Sequence, residues 1–295
     1  MGTGSAVTAL AVIDSTLEAV GFVAVGIATG LLSGTLGVGG GFILVPLLTL
    51  LDVPLHQAIG TSLAFIAIVA LAGGLRHFRQ STADPLLAAS LVVAGALFAQ
   101  VGARVGDATD EALLSFVFAA ILVAVAVWFH FGPDPEAAPP RAVPAGGGKE
   151  RGLRLRYERE RSVPGRAEPL RYVVDLRKSA GVGALVGFTS GLLGTGGGFL
   201  MVPMLVLVLA IPLTVAIGTD LFGVVVTAAS GVIAHLALGN VVGDVLLAAV
   251  PGGMVAAVAG ARLSARLSQS TLRRAFLTVL LIGAGKLLFD GISGL

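Results

Sequence analysis

Gly30-Leu-Leu-Ser-Gly-Thr-Leu-Gly-Val-Gly-Gly-Gly-Phe-Ile-Leu-Val-Pro46 is the first of two near-copies in this 295-residue chain. The second is Gly187-Phe-Thr-Ser-Gly-Leu-Leu-Gly-Thr-Gly-Gly-Gly-Phe-Leu-Met-Val-Pro203, identical at 11 of 17 positions. The match continues downstream at a nearly constant offset of 157–160. Ala58-Ile-Gly-Thr61 pairs with Ala216-Ile-Gly-Thr219, His77 with His235, Leu86–Ala89 with Leu246–Ala249, and Gly102-Ala-Arg104 with Gly260-Ala-Arg262. A register kept over that length marks an internal duplication.

Around the duplicated motif lie five apolar segments per half: 19–36, 41–51, 55–76, 85–103 and 111–131, then 180–194, 198–211, 213–237, 245–263 and 272–290. The chain is 56% apolar and 12% charged, with a mean hydropathy of +0.96. Soluble domains carry about 25% charged residues. Eighteen of the charges crowd into residues 132–178, 11 basic and 7 acidic. The rest of the chain cannot build a water-facing surface. This argues against a soluble enzyme, a disordered chain and a nucleic-acid binder, and for a polytopic membrane protein. The sequence divides into a first transmembrane repeat (1–131), a hydrated, charged, Pro- and Gly-rich linker (132–178) and a second repeat (179–295). The first 20 residues hold no Lys or Arg, so no secretory signal peptide is expected.

Basic residues orient the halves. The loop after the third segment carries Arg76, His77 and Arg79 in half one, whereas 236–244 carries no Lys or Arg. After the fourth segment the bias reverses: Arg104 sits among Asp107, Asp110 and Glu111, but half two has Arg262, Arg266, Arg273 and Arg274. Equivalent loops thus lie on opposite faces, the mark of an inverted-topology repeat. Alternation places the linker in the cytoplasm and both termini outside. Each half becomes a helical hairpin plus three transmembrane helices, an all-α fold. The hairpins have about 32 residues, so two equal arms reach about 22 Å at ~1.5 Å per residue. They are expected to be short, broken or re-entrant, with tips that meet inside the membrane.

The tips carry the chemistry. Gly39, Gly40 and Gly41, and Gly196, Gly197 and Gly198, break one helix, and Phe42 and Phe199 open the next. Glycine permits the positive φ that such a turn needs. A helix starting there aims unpaired N–H groups and the positive end of its dipole at the interior, which suits an anion without any cationic side chain. The competing reading is that the glycines only allow close helix packing. Ser33, Ser190, Thr61 and Thr219 occupy paired positions near the tips, with Ser62 and Thr195 beside them. Their hydroxyls either donate to the substrate or back-bond within their helices. Asp220 stands where half one has Ser62, inside a span, where a carboxylate is costly. It is a candidate proton-coupling residue. Pro46 and Pro203 are expected to kink or hinge the second hairpin arm. His77 and His235 are expected at lipid headgroups ahead of a proton relay, and Arg104 and Arg262 either snorkel or draw the anion to the pore mouth.

The duplicated Ser-Gly-x-x-Gly-x-Gly-Gly-Gly-Phe-x-x-Val-Pro, followed by Ala-Ile-Gly-Thr, resembles the TauE/SafE sulfite-exporter family over nearly the whole chain outside the linker. The resemblance implies an inner-membrane secondary transporter of a small sulfur-containing anion: sulfite, a sulfonate such as sulfoacetate, or thiosulfate. The physical reading supplies only the anion. A passive channel of the same architecture is the alternative. No enzyme is expected, because no nucleophile–base pair or metal cluster is visible and the chain has no cysteine. No cofactor, metal or nucleic acid is expected; the expected partners are the anion, the bilayer and, for coupling, protons.

Overall fold

A computed structural model describes residues 16–36, 40–77, 84–131, 156–161, 170–264 and 269–293. These residues are largely helical. The first half comprises α1 (Thr16–Leu36), α2 (Gly41–Thr49), α3 (Leu55–His77), α4 (Pro85–Asp107) and α5 (Glu111–Phe131). The second comprises α6 (Leu176–Leu193), α7 (Gly198–Leu207), α8 (Leu213–Ala237), α9 (Gly243–Ser264) and α10 (Gln269–Ser293). Stretches within α1, α4, α5 and α9 are long and apolar enough to cross a membrane. The all-α polytopic architecture holds.

The hairpin arms are unequal. α1 has 21 residues and α2 nine; α6 has 18 and α7 ten. Equal short arms were expected because hydropathy was read from residue 180. α6 starts earlier, at Leu176, since the Asp175 carboxylate caps it through Arg177 N and Lys178 N. That cap draws Arg177 and Lys178 out of the linker and into the helix. Part of the supposed spacer is also ordered. Arg156–Arg161 (β1) pairs antiparallel with Leu170–Asp175 (β2). Tyr172 and Val174 of β2 are buried in a cluster with Leu87, Val182, Leu205 and Val215. The remainder of the linker, residues 132–155 and 162–169, lies outside the described residues, as does the N-terminus.

Glycine sets the packing. A β-carbon at Gly26, Gly30 or Gly34 would fall 2.1–2.2 Å from the carbonyl oxygens of Ala249, Gly253 and Ala257. α1 and α9 therefore run parallel, backbone against backbone. Gly183, Gly187 and Gly191 make the same ladder on Leu91, Gly95 and Ala99, joining α6 to α4. Each hairpin's long arm thus packs on the opposite half. In the centre, Gly60 abuts Asn240 while Gly231 abuts Leu63, so α3 and α8 run antiparallel. Gly283 meets Leu122 while Gly291 meets Ala112 and Phe116, so α5 and α10 do the same. The core, with Phe42, Phe65, Phe118 and Phe199 fully buried, lies around this central layer.

Candidate functional site

The short arms α2 and α7 start from left-handed glycines. Gly40 has φ 75° and Gly197 has φ 86°, and neither helix has a side-chain cap. In the second turn Gly194 and Gly196 are also at φ 70°. Only glycine adopts four such positions at little cost. Gly39, with Gly37 and Val38, lies outside the described residues.

The two tips meet. A β-carbon at Gly41 would lie 2.7 Å from Gly194 O and 2.8 Å from the Thr195 carbonyl carbon. The rings of Phe42 and Phe199, one from each half, are 5.6 Å apart and tilted by 37°. Ser62 on α3 ties the junction, donating to Gly194 O at 2.9 Å and lying 3.4 Å from Gly41 O. Ser33 flanks Gly40, whose added β-carbon would lie 2.8 Å from Ser33 Cβ. Gly198 and Phe199 are buried with the rest of the second tip. Pro46 and Pro203 sit inside α2 and α7. Pro46 O accepts Leu50 N–H and the Thr49 hydroxyl.

Thr61 and Thr219 perform matched tasks. Thr61 Oγ1 accepts Val242 N–H at 3.0 Å, and Thr219 Oγ1 accepts Asp84 N–H at 3.2 Å. Each therefore joins its helix to the start of a fourth-segment helix in the other half. Their hydroxyl oxygens already serve the backbone.

Other hydroxyls are idle. Thr29 Oγ1, Ser190 Oγ and Thr195 Oγ1 are buried without a hydrogen-bond partner. Back-bonding was the competing account for Ser190, and Thr189, one position before it, does back-bond to Leu185 O; Ser190 does not. A buried, unsatisfied hydroxyl costs about 1–3 kcal/mol, and three such groups flank one junction. Asp220 is 2% exposed, and its Oδ1 has no partner.

His235 is corrected. It is 1% exposed and its Nε2 donates to Gly191 O at 3.0 Å, so it belongs to the α6–α8 interface and not to the headgroup layer. The side chain of His77 lies outside the described residues. Arg104 is exposed and donates to Gln100 O; Arg262 is exposed.

Several residues escaped the sequence reading. Thr29 lies one helical turn before Ser33, a spacing that points to it, but its counterpart at offset 157 is Val186, so no paired motif contains it. Thr227 bonds to Gly223 O and Gly196 O and stands opposite Val69. Asp84 caps α4 through Leu86 N and Leu87 N and accepts the Tyr172 hydroxyl at 2.6 Å. Its signal was the Asp-Pro step before an apolar run.

Apolar spans packed around a buried, glycine-broken junction make a polytopic membrane protein. The family described as "Sulfite exporter TauE/SafE" matches residues 22–287, and the chain belongs to that family. Its relatives include the probable membrane transporter protein YunE of Bacillus subtilis, 26% identical over 92% of this chain and 97% of that one. Another is a probable membrane transporter protein of Xylella fastidiosa (strain Temecula1), 28% identical over 85% of this chain and 86% of its own length. No solved structure matches the chain.

Proposed function

We propose that the chain is a secondary transporter that carries a small sulfur-containing oxyanion (sulfite, a sulfonate such as sulfoacetate, or thiosulfate) across the inner membrane. The anion sits between the two glycine tips. Ser33, Ser190 and Thr195 and the first turns of α2 and α7 hold it, and Asp220 carries a coupling proton. The observation that carries this reading is the junction itself: two uncapped helix starts from opposite halves converge where buried hydroxyls have no protein partner. Helix N-termini attract anions, and unsatisfied donors gain most from a ligand. The sulfur rests on the family alone.

The halves are inverted repeats in this reading. What supports this is that equivalent helices pack antiparallel, α3 on α8 and α5 on α10, while the two long-arm ladders repeat in register. The linker is cytoplasmic and the termini are outside, on the Lys/Arg bias of equivalent loops. The test is a thermal-shift screen of the purified protein against sulfite, sulfate, thiosulfate, sulfoacetate and taurine. A ligand that binds only the folded state raises its apparent stability. Stabilisation by a sulfur oxyanion is expected; no shift with any of them refutes the substrate class.

A further inference from the structure

Among the described residues, no cationic side chain lines the junction. The side chains that β-carbons at Gly40, Gly41, Gly196 and Gly197 would meet are Thr29, Ser33, Ile66, Val186, Ser190 and Thr227. None is charged. Every Lys and Arg whose side chain is described is engaged elsewhere. Arg104, Arg177, Lys178, Arg262 and Arg274 are exposed, Arg156 pairs with Asp175, and Lys286 pairs with Asp290. His235 is bound to Gly191 O.

The positive field therefore comes from two helix starts, each equivalent to about +0.5 elementary charge. Together they match one negative charge. A dianion is left a full charge short, and the cost of moving an ion out of water rises with the square of its charge. Neutral donors can recognise oxygens, but they cannot supply a missing charge.

We infer that the site selects a monoanion bearing three oxygens on one centre, a sulfonate or hydrogen sulfite, and rejects tetrahedral dianions. Thr29 is a specificity-determining donor, because its side chain lies beside Gly40, with Cγ2 3.1 Å from where a β-carbon would stand, and its hydroxyl is fully buried and unpartnered. The inference rests on the tip reading above and narrows it from sulfur oxyanions in general to the singly charged ones. Sulfate, thiosulfate and sulfoacetate, which adds an ionised carboxylate to its sulfonate, then fall outside the substrate range.

Methanesulfonate and sulfate test this directly, since both are tetrahedral at sulfur, a methyl group standing where sulfate has its fourth oxygen, and they differ in charge. Calorimetric titration of the full chain in detergent at neutral pH is expected to show methanesulfonate binding at least tenfold tighter than sulfate. Thr29→Val, which places in half one the residue of half two, is expected to weaken methanesulfonate about tenfold, and Thr29→Ser to retain it. Equal or tighter binding of sulfate overturns the charge selection; if Gly197→Ala then weakens both anions, the tip site itself survives. Methanesulfonate binding that ignores Thr29→Val while falling in Gly197→Ala overturns the role of Thr29 alone. Binding that ignores both variants, or no binding of either anion, overturns the tip reading along with the inference.

Discussion

Replacing Gly197 by alanine separates the tip's chemistry from its architecture. Gly197 caps α7 at φ 86°, ψ −22°, and an alanine held in the left-handed region costs about 1–2 kcal/mol. Its β-carbon would meet Val186 Cγ1 at 2.8 Å, with Ser190 Cβ and Thr227 Oγ1 at 3.8 Å. A valine methyl can turn aside, so the fold survives. The methyl also crowds the space before the first turn of α7, where the anion would accept hydrogen bonds. Losing one or two bonds to a charged ligand costs about 1.5–3 kcal/mol each, which is at least tenfold in affinity at about 1.4 kcal/mol per decade. Gly187→Ala is the contrast. Its β-carbon would fall 2.1 Å from Gly95 O and 2.5 Å from Gly95 Cα, backbone atoms that cannot rotate away. α6 and α4 must part, at the upper end of overpacking costs, about 3 kcal/mol or more. The assay is sulfite titration beside thermal unfolding in one detergent. Gly197→Ala is expected to unfold near wild type and bind weakly, and Gly187→Ala to unfold early. A folded Gly197→Ala protein with wild-type sulfite affinity would refute the reasoning, reducing the tip glycines to a packing device.

Asp220→Asn is expected to abolish pH-driven accumulation in proteoliposomes while leaving substrate exchange; loss of both or of neither counts against the coupling role. Tyr172→Phe removes a donor to a buried carboxylate, worth about 1.5–3 kcal/mol, and lowers the unfolding temperature; an unchanged one shows that the hairpin does not anchor to α4. A cysteine at Ser162, in a chain that has none, should resist an impermeant reagent in intact cells and react in inside-out vesicles, and the reverse pattern inverts the topology.

The duplicated glycine run was legible because it is long and paired, and the meeting of Phe42 with Phe199 follows from it. The Gly26–Gly30–Gly34 spacing also carried its ladder in plain view, although only the structure names Ala249, Gly253 and Ala257 as the facing backbones. Hydropathy failed at the ends of the long arms, since Asp175 starts α6 through a cap and not through apolarity. It failed in the linker too. Arg156–Arg161 reads as solvated charge, and the two buried positions of β2, Tyr172 and Val174, are too few to stand out as an alternating pattern. His235 looked interfacial because it closes a span; a carbonyl on another helix decided its place, and no local pattern reports that.

Thr29 was missed for a reason that bears on mechanism. Reading by duplication finds what the halves share: Gly40 and Gly197, Thr61 and Thr219, the ladders. Those shared residues build the scaffold, and the hydrogen bonds of Thr61 and Thr219 are the same bond made twice. Two identical halves would give two ends of equal energy and no preference between them. The halves differ at a few buried places. Thr29 stands against Val186 and Ser62 against Asp220; Thr227 corresponds to Val69, and Asp84, in the register set by the Thr219 and Thr61 bonds, corresponds to Val242. At Ser62 a hydroxyl donates to Gly194 O, whereas an ionised carboxylate at Asp220 can only accept. At Asp84 a carboxylate ties α4 to the linker's Tyr172, whereas Val242 offers no such tie. An equilibrium between two states shifts only through interactions that differ between them. The mismatched pairs are where such differences reside, so substitutions there should alter selectivity and coupling, and substitutions at the matched Thr61 and Thr219 and at the ladder glycines should cost the fold.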